Sequence, residues 1–259
     1  MDLPSTQRYV ILSTPRSGSS HLVQALETHP KVACLGEIFN LHGGAMRKLG
    51  IMSKRTLDKA SNEPLDYLNE LMEAWSNRPQ AKPVFGFKMM LHHDPRVIDY
   101  LVGDPSWKMI LLRRENVLAQ WSSLQIAKLT GEWGSKAKKK RAAEGIAEPE
   151  TPPIEFKSRV FEAYCNRLDA RYDSIQRRVA KHSLFEVTTE TIDARRDEIL
   201  AFLGVDPRQA PPAPGRGERQ NSTSLEDRFT NSDEVYRYAA AHGLPIGAGQ
   251  RQGERGHAH

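Results

Sequence analysis

Cysteine is scarce in this chain: Cys34 and Cys165 are the only two in 259 residues. That excludes a disulfide framework and points to buried, reduced thiols. No Cys/His cluster has zinc-site spacing, so no metal is expected. No apolar run approaches the ~18 residues of a membrane span. The N-terminal stretch M-D-L-P-S-T lacks both the basic start and the apolar core of a secretion signal, so a cytoplasmic protein is expected. Aromatic residues reach only 7% and are scattered, with no stacking motif, so a nucleic-acid partner is not expected despite the net charge of +5. That charge suits an anionic cofactor, or peripheral contact with an anionic membrane surface. Internal repeats are absent, and nothing in the pattern signals an oligomeric state.

What is present is an alternation of short apolar runs and helical periodicities. Strands are predicted at 9–12, 32–35, 84–90, 109–112 and 183–187. Helices are predicted up to residue 28, across a mixed stretch at 44–78, and at 95–102, 115–130, 155–181 and 192–203. The proline-rich run at 205–218 is expected to hold no regular structure. The pattern predicts an α/β fold, a P-loop-like parallel sheet flanked by helices, in a single domain over 1–245. A flexible basic insert is expected at about 131–153 and a disordered tail at 246–259. In such a sheet, ligands bind at the carboxyl ends of the strands.

The first strand runs into T-P-R-S-G-S-S, residues 14–20, and then a helix. A strand, a small-residue turn and a helix N-terminus make an anion cradle. Pro15, Arg16, Ser17, Gly18, Ser19 and Ser20 form it, with Arg16 as the cation and the serines as hydroxyl donors. It is not a Walker A loop, because G-x-x-x-x-G-K-[ST] is absent. Twenty-one positions beyond Arg16, after H-P-K-V and a second apolar strand, stands a lone Glu37. At residues 107–123, W-K-M-I-L-L-R-R-E-N-V-L-A-Q-W-S-S, an apolar strand ends in two arginines and a helix follows. A guanidinium fork and a hydroxyl in that arrangement suit a phosphate.

R-S-G-S-S, then H-P-x-V, then the glutamate, together with the strand-Arg-helix-Ser segment, resembles the PAPS-dependent sulfotransferases. The similarity is closest to the carbohydrate and bacterial (trehalose and Nod-factor type) members. Most cytosolic relatives carry lysine where this chain has Arg16, so the arginine points to the carbohydrate and bacterial branches. The resemblance implies that the loop holds the 5′-phosphosulfate of PAPS, the co-substrate, with no metal. It implies that Arg113 with Ser122 grips the 3′-phosphate, Arg114 and Ser123 being the off-by-one alternatives. Residues 182–206 resemble the late strand and helix of the family, with Thr189 in place of a tyrosine, and this patch reads as structural. Arg219-Gln220-Asn221-Ser222 resembles a loop that closes over the nucleotide.

Sulfuryl transfer needs an in-line nucleophile, a base for its proton, and cations for the charge on the transferring and leaving oxygens. Glu37 is the expected base, with His92 and His93 as rivals because several relatives use histidine. Arg16 and Lys88 are the expected cations. Lys136, Lys138, Lys139, Lys140 and Arg141 make either a lid, with Trp133 as a sugar platform, or a solvated loop. The acceptor is expected to be a small molecule, glycan or glycolipid hydroxyl bound by 40–78 and 124–155. A P-loop kinase or NTPase remains the alternative enzyme, and a nucleotide- or nucleic-acid-binding protein the non-enzymatic one.

Overall fold

A computed structural model describes residues 7–40, 44–133, 144, 153–180, 183–212 and 226–246. The basic run at 136–141, the segment at 219–222 and the tail beyond 246 lie outside the described residues. The chain groups into two compact units, one of residues 1–113 with 168–217, the other of 114–167 with 218–259.

The first unit holds a five-stranded parallel sheet in the order β2-β3-β1-β4-β5. Its strands are β1 (Gln7–Ser13), β2 (Val32–Glu37), β3 (Val84–Met90), β4 (Trp107–Arg113) and β5 (Leu184–Thr188). All four pairings are parallel. Every residue of β3 is buried, as expected of a strand covered on both faces. Around the sheet lie α1 (Ser19–Glu27), α2 (Gly44–Leu49), α3 (Lys54–Asn62), α4 (Pro64–Ser76) and α5 (Pro95–Gly103). Tyr9, Ile11, Leu22, Leu26, Ile110 and Leu200 belong to one buried cluster between sheet and helices. None of the helices among the described residues is long and apolar enough to cross a membrane.

Local chemistry explains the boundaries. The stretch 44–78 divides into three helices because Gly50 adopts φ 73° after the first, and Pro64 starts the third. Asp94 caps α5 by accepting from the Arg96 N–H, and Pro95 supplies its first residue. At the far end of α1, the buried Arg196 guanidinium donates from Nε to the Ala25 carbonyl (3.1 Å) and from Nη2 to the Pro211 carbonyl (2.8 Å). The carbonyls at the end of α1 thereby gain a cationic donor, where the helix dipole favours one.

Most strand and helix ends shift by one or two residues from those predicted, and three elements differ by more. The helix expected at 155–181 is α7 (Ser158–Arg178). The helix expected from 192 begins only at Arg196, as α8 (Arg196–Phe202), because residues 189–195 form a turn held by the Thr191 hydroxyl. The proline-rich run is not wholly irregular: Pro207–Gln209 forms one 3-10 turn. There Pro207 pre-sets φ at the first position and Asp206 accepts from the Arg208 N–H.

The second unit contains α6 (Val117–Thr130), the first half of α7 and α9 (Ser232–Ala241). Asn116 caps α6 through the Ala119 N–H (2.8 Å), and Gly131 ends it at φ 70°. Its core is aromatic: Trp121 stacks on Phe229 and meets Phe156 and Phe161 edge-on. Neither cysteine is in a disulfide; Cys34 is buried as expected, while Cys165 is only half-buried. Burial pushes the Cys34 thiol up to about 11, so it stays protonated and inert.

One close approach carries a prediction. Tyr9 is fully buried and in register with Gly86, and a Cβ at Gly86 would lie 2.4 Å from the Tyr9 ring. The ring cannot retreat without losing its hydroxyl's bond to the Ala33 carbonyl (3.1 Å). Gly86→Ala is expected to cost about 3 kcal/mol by overpacking, measured as a lower denaturant midpoint at unchanged slope.

Candidate active site

In the first unit the register puts Ser13, Met90 and Leu112 level with one another at the sheet's carboxyl edge. From that edge rises the loop leading from β1 to α1. Its backbone is unusual at two places: Gly18 has φ 75°, and Arg16, at φ 66°, is the single left-handed non-glycine residue among those described. Left-handed residues in alternation curve a loop so that consecutive N–H groups face inward. Gly18 has no side chain to cap α1, so the first N–H groups of that helix remain available. Within the loop, the buried Ser17 hydroxyl donates to the Thr14 carbonyl (2.7 Å). Pro15 and Arg16 are half-buried, Ser19 is buried and Ser20 is exposed. An uncapped helix start behind a curved, serine-bearing loop fits a phosphate or sulfate group.

Glu37 comes to this edge through a bulge. Cys34 pairs with Gly86 but Glu37 with Lys88, so three steps along β2 match two along β3. Gly36, at φ 77°, takes up the extra residue. The result aims Glu37 at Lys88, whose Nζ lies 2.9 Å from Glu37 Oε1. The same Nζ is 3.4 Å from the Ser20 hydroxyl, and the Asn40 amide donates to Glu37 Oε2 (3.4 Å). Lys88 is 7% exposed, so it is not a solvated strand-end lysine. Burial raises the Glu37 carboxyl's affinity for a proton, but the Lys88 ammonium, the Asn40 amide and His93 together outweigh it and hold the group below its usual range. Glu37 is therefore ionised at neutral pH.

His92 and His93 lie in the turn before α5, as expected from H-H-D-P. His92 reaches the surface but is partly covered by its neighbours; that partial burial and then Arg171 lower its pKa. His93 stacks edge-on to Phe39, and burial and His92 push its pKa down to about 4. His93 Nδ1 accepts the Met90 N–H at 3.3 Å. An imidazole nitrogen that accepts carries no proton, so neutral His93 bears its proton on Nε2 and presents a donor there, the reverse of a base.

Arg113 ends β4, half-exposed; its guanidinium pairs with Asp169 and lies over the Tyr172 ring at 5.3 Å from the centroid. Tyr172, fully buried, donates to the Leu112 carbonyl (2.7 Å) and meets the Thr14 hydroxyl at 3.2 Å. Arg16, Lys88, Glu37 and Arg113 thus rise from one sheet edge. Ser122 belongs to the second unit. It is buried on α6, its hydroxyl 3.2 Å from the Ala119 carbonyl and 3.2 Å from Arg228 Nη1. Sequence reasoning missed Asp169, Tyr172 and Arg228, which sit in ordinary helical or turn sequence with no motif around them.

No family model matches the chain. Over 249 residues it is 26% identical to nodulation protein H of Rhizobium tropici, covering 92% of this chain and 91% of that protein. Among solved structures, a sulfotransferase from Mycobacterium avium superposes with a TM-score of 0.52 at 11% identity, over 95% of this chain and 79% of that one. A sulfotransferase from Alicyclobacillus acidocaldarius gives a TM-score of 0.46 at 14% identity, over 97% and 100%. The parallel α/β architecture is that of the sulfotransferases.

Proposed function

We infer that this chain, a sulfotransferase by its fold and its relationship to the nodulation protein, moves a sulfuryl group from PAPS to a hydroxyl of a carbohydrate, glycolipid or similar small acceptor. The observation that carries the reading is the contact chain Glu37–Lys88–Ser20, which joins a carboxylate, a buried ammonium and the first turn behind the anion loop. Pro15 to Ser20 would cradle the 5′-phosphosulfate through backbone N–H and hydroxyl groups, with Arg16 as counter-charge. Arg113, at the end of β4, would hold the 3′-phosphate.

In the reaction, the acceptor oxygen attacks sulfur in line with the bridging oxygen of the donor. Glu37 takes the acceptor's proton as the new O–S bond forms. The old S–O bond breaks, and negative charge grows on the bridging oxygen. Lys88 has three N–H donors and uses two at rest, on Glu37 and Ser20, so one remains for that oxygen. Arg16 and the start of α1 add to this stabilisation. Of the two histidines, His92 stays the rival base, because the tautomer of His93 is set the wrong way round.

Calorimetric titration with adenosine 3′,5′-bisphosphate should show binding at a single site, and labelled PAPS should transfer sulfate to an oligosaccharide or glycolipid in an acceptor screen. Magnesium-dependent ATP hydrolysis, with no affinity for the bisphosphate, would sink the reading in favour of a phosphotransferase.

A further inference from the structure

We propose that Thr189 is a positioning residue that sets the spacing between the anion loop and the Arg113 end of β4, and hence between the two ends of the bound nucleotide. This rests on the nucleotide reading above and goes beyond it, because the segment that carries Thr189 reads from sequence as mostly structural.

Thr189 follows β5, which is separated from β1 by β4. Its backbone N–H donates to the Arg113 carbonyl (2.8 Å), extending the β4–β5 ladder by one step past the Arg113–Thr188 pair. Its hydroxyl then reaches over the end of β4 and lies 2.6 Å from the Ser17 carbonyl and 3.3 Å from the Arg113 carbonyl. A hydroxyl has one proton, so the short contact to Ser17 takes it and the longer one is secondary. A single residue therefore bonds the loop with its side chain and the Arg113 strand end with its backbone.

The methyl group adds a second constraint. Thr189 Cγ2 occupies the space beside Gly18, where a Cβ would lie only 2.6 Å away. Gly18 is the left-handed start of α1, so the methyl seats the point where loop becomes helix. Thr189 itself is held: Thr191 donates its N–H to the Thr188 carbonyl (3.0 Å), and the Thr188 and Thr191 hydroxyls meet at 3.0 Å. The tether thus comes from a stiff turn. A loop bonded this way has its N–H groups and Arg16 placed at a fixed reach from Arg113.

A ligand that spans both ends should feel the loss of the tether more than one that uses the loop alone. Binding of adenosine 3′,5′-bisphosphate and of adenosine 5′-monophosphate is measured for wild type, Thr189→Val, Thr189→Ala and Thr189→Ser. Valine and alanine both remove the hydroxyl, and alanine cannot overpack should valine disturb the fold. In both variants the bisphosphate Kd is expected to rise about tenfold, the scale of one hydrogen bond, and the monophosphate Kd by about threefold or less. Serine keeps the hydroxyl and should return the bisphosphate Kd to within about twofold of wild type. Equal losses for the two nucleotides, unchanged binding in valine and alanine, or a serine variant as weak as alanine would each overturn the spacing role. Wild-type protein that binds neither nucleotide would sink the nucleotide reading and this proposal with it; the other outcomes sink the proposal alone.

Discussion

Glu37→Gln is expected to lower kcat by about 10²–10⁴-fold while leaving the Kd for adenosine 3′,5′-bisphosphate within about twofold of wild type. Glutamine keeps the size of the side chain and can still contact Lys88 through its carbonyl oxygen, so the bulge at Gly36 and the loop beyond it should stay in place. What is lost, in the proposed mechanism, is the acceptor for the substrate's proton. The two measurements therefore separate: steady-state turnover with labelled PAPS collapses, and calorimetric nucleotide binding persists. Because Lys88, Asn40 and His93 hold the Glu37 carboxyl below the usual carboxylate range, the acidic limb of kcat/KM in wild type should also fall below that range. Full turnover in the glutamine variant would move the base to His92.

Lys88→Met should produce a loss of similar size, on the order of 10²–10³-fold in kcat, because in the proposed mechanism it removes a preorganised cation from the leaving oxygen. It should also move the acidic limb of the rate profile upward. With the ammonium gone, burial is the dominant influence left on Glu37, and burial favours the protonated acid. The stability profile gives an independent check with a definite sign. Glu37 has a depressed pKa in the folded protein, so its contribution to stability is present above the ordinary carboxylate pKa and fades as pH falls through the folded value. Wild type and Lys88→Met should therefore differ in denaturant midpoint at neutral pH and converge in acid. An acidic limb left where it was in wild type would mean that Lys88 does not set the charge state of Glu37.

Much of this site was legible in the linear chain because its signals are local. A strand running into P-R-S-G-S-S and then a helical periodicity predicts a loop suited to an anion within a dozen residues, and backbone stereochemistry does the rest. The apolar run of β4 ending at Arg113 is equally local. The lone Glu37 stood out by its distance from Arg16, yet the bulge that turns it toward Lys88 shows in sequence only as a glycine at 36. The partners of Arg113 were invisible: Asp169 and Tyr172 lie more than fifty positions away on a helix whose pattern reports only amphipathicity. The 3-10 turn at Pro207–Gln209 was missed because prolines were read as breakers, although proline is well suited to the first position of a helical turn.

By itself the amino-acid order determined the kind of elements, their parallel arrangement, and which residue types stand at the ends of the strands. These follow from short-range sterics and from the period of apolar side chains, both of which act over a few residues. Tertiary structure alone decided which charges meet, that Lys88 is buried against Glu37, and that Thr189 ties Ser17 to the end of β4. Those contacts join residues 51 to 172 positions apart, and only the stacking of strands into one sheet brings such residues within hydrogen-bonding distance.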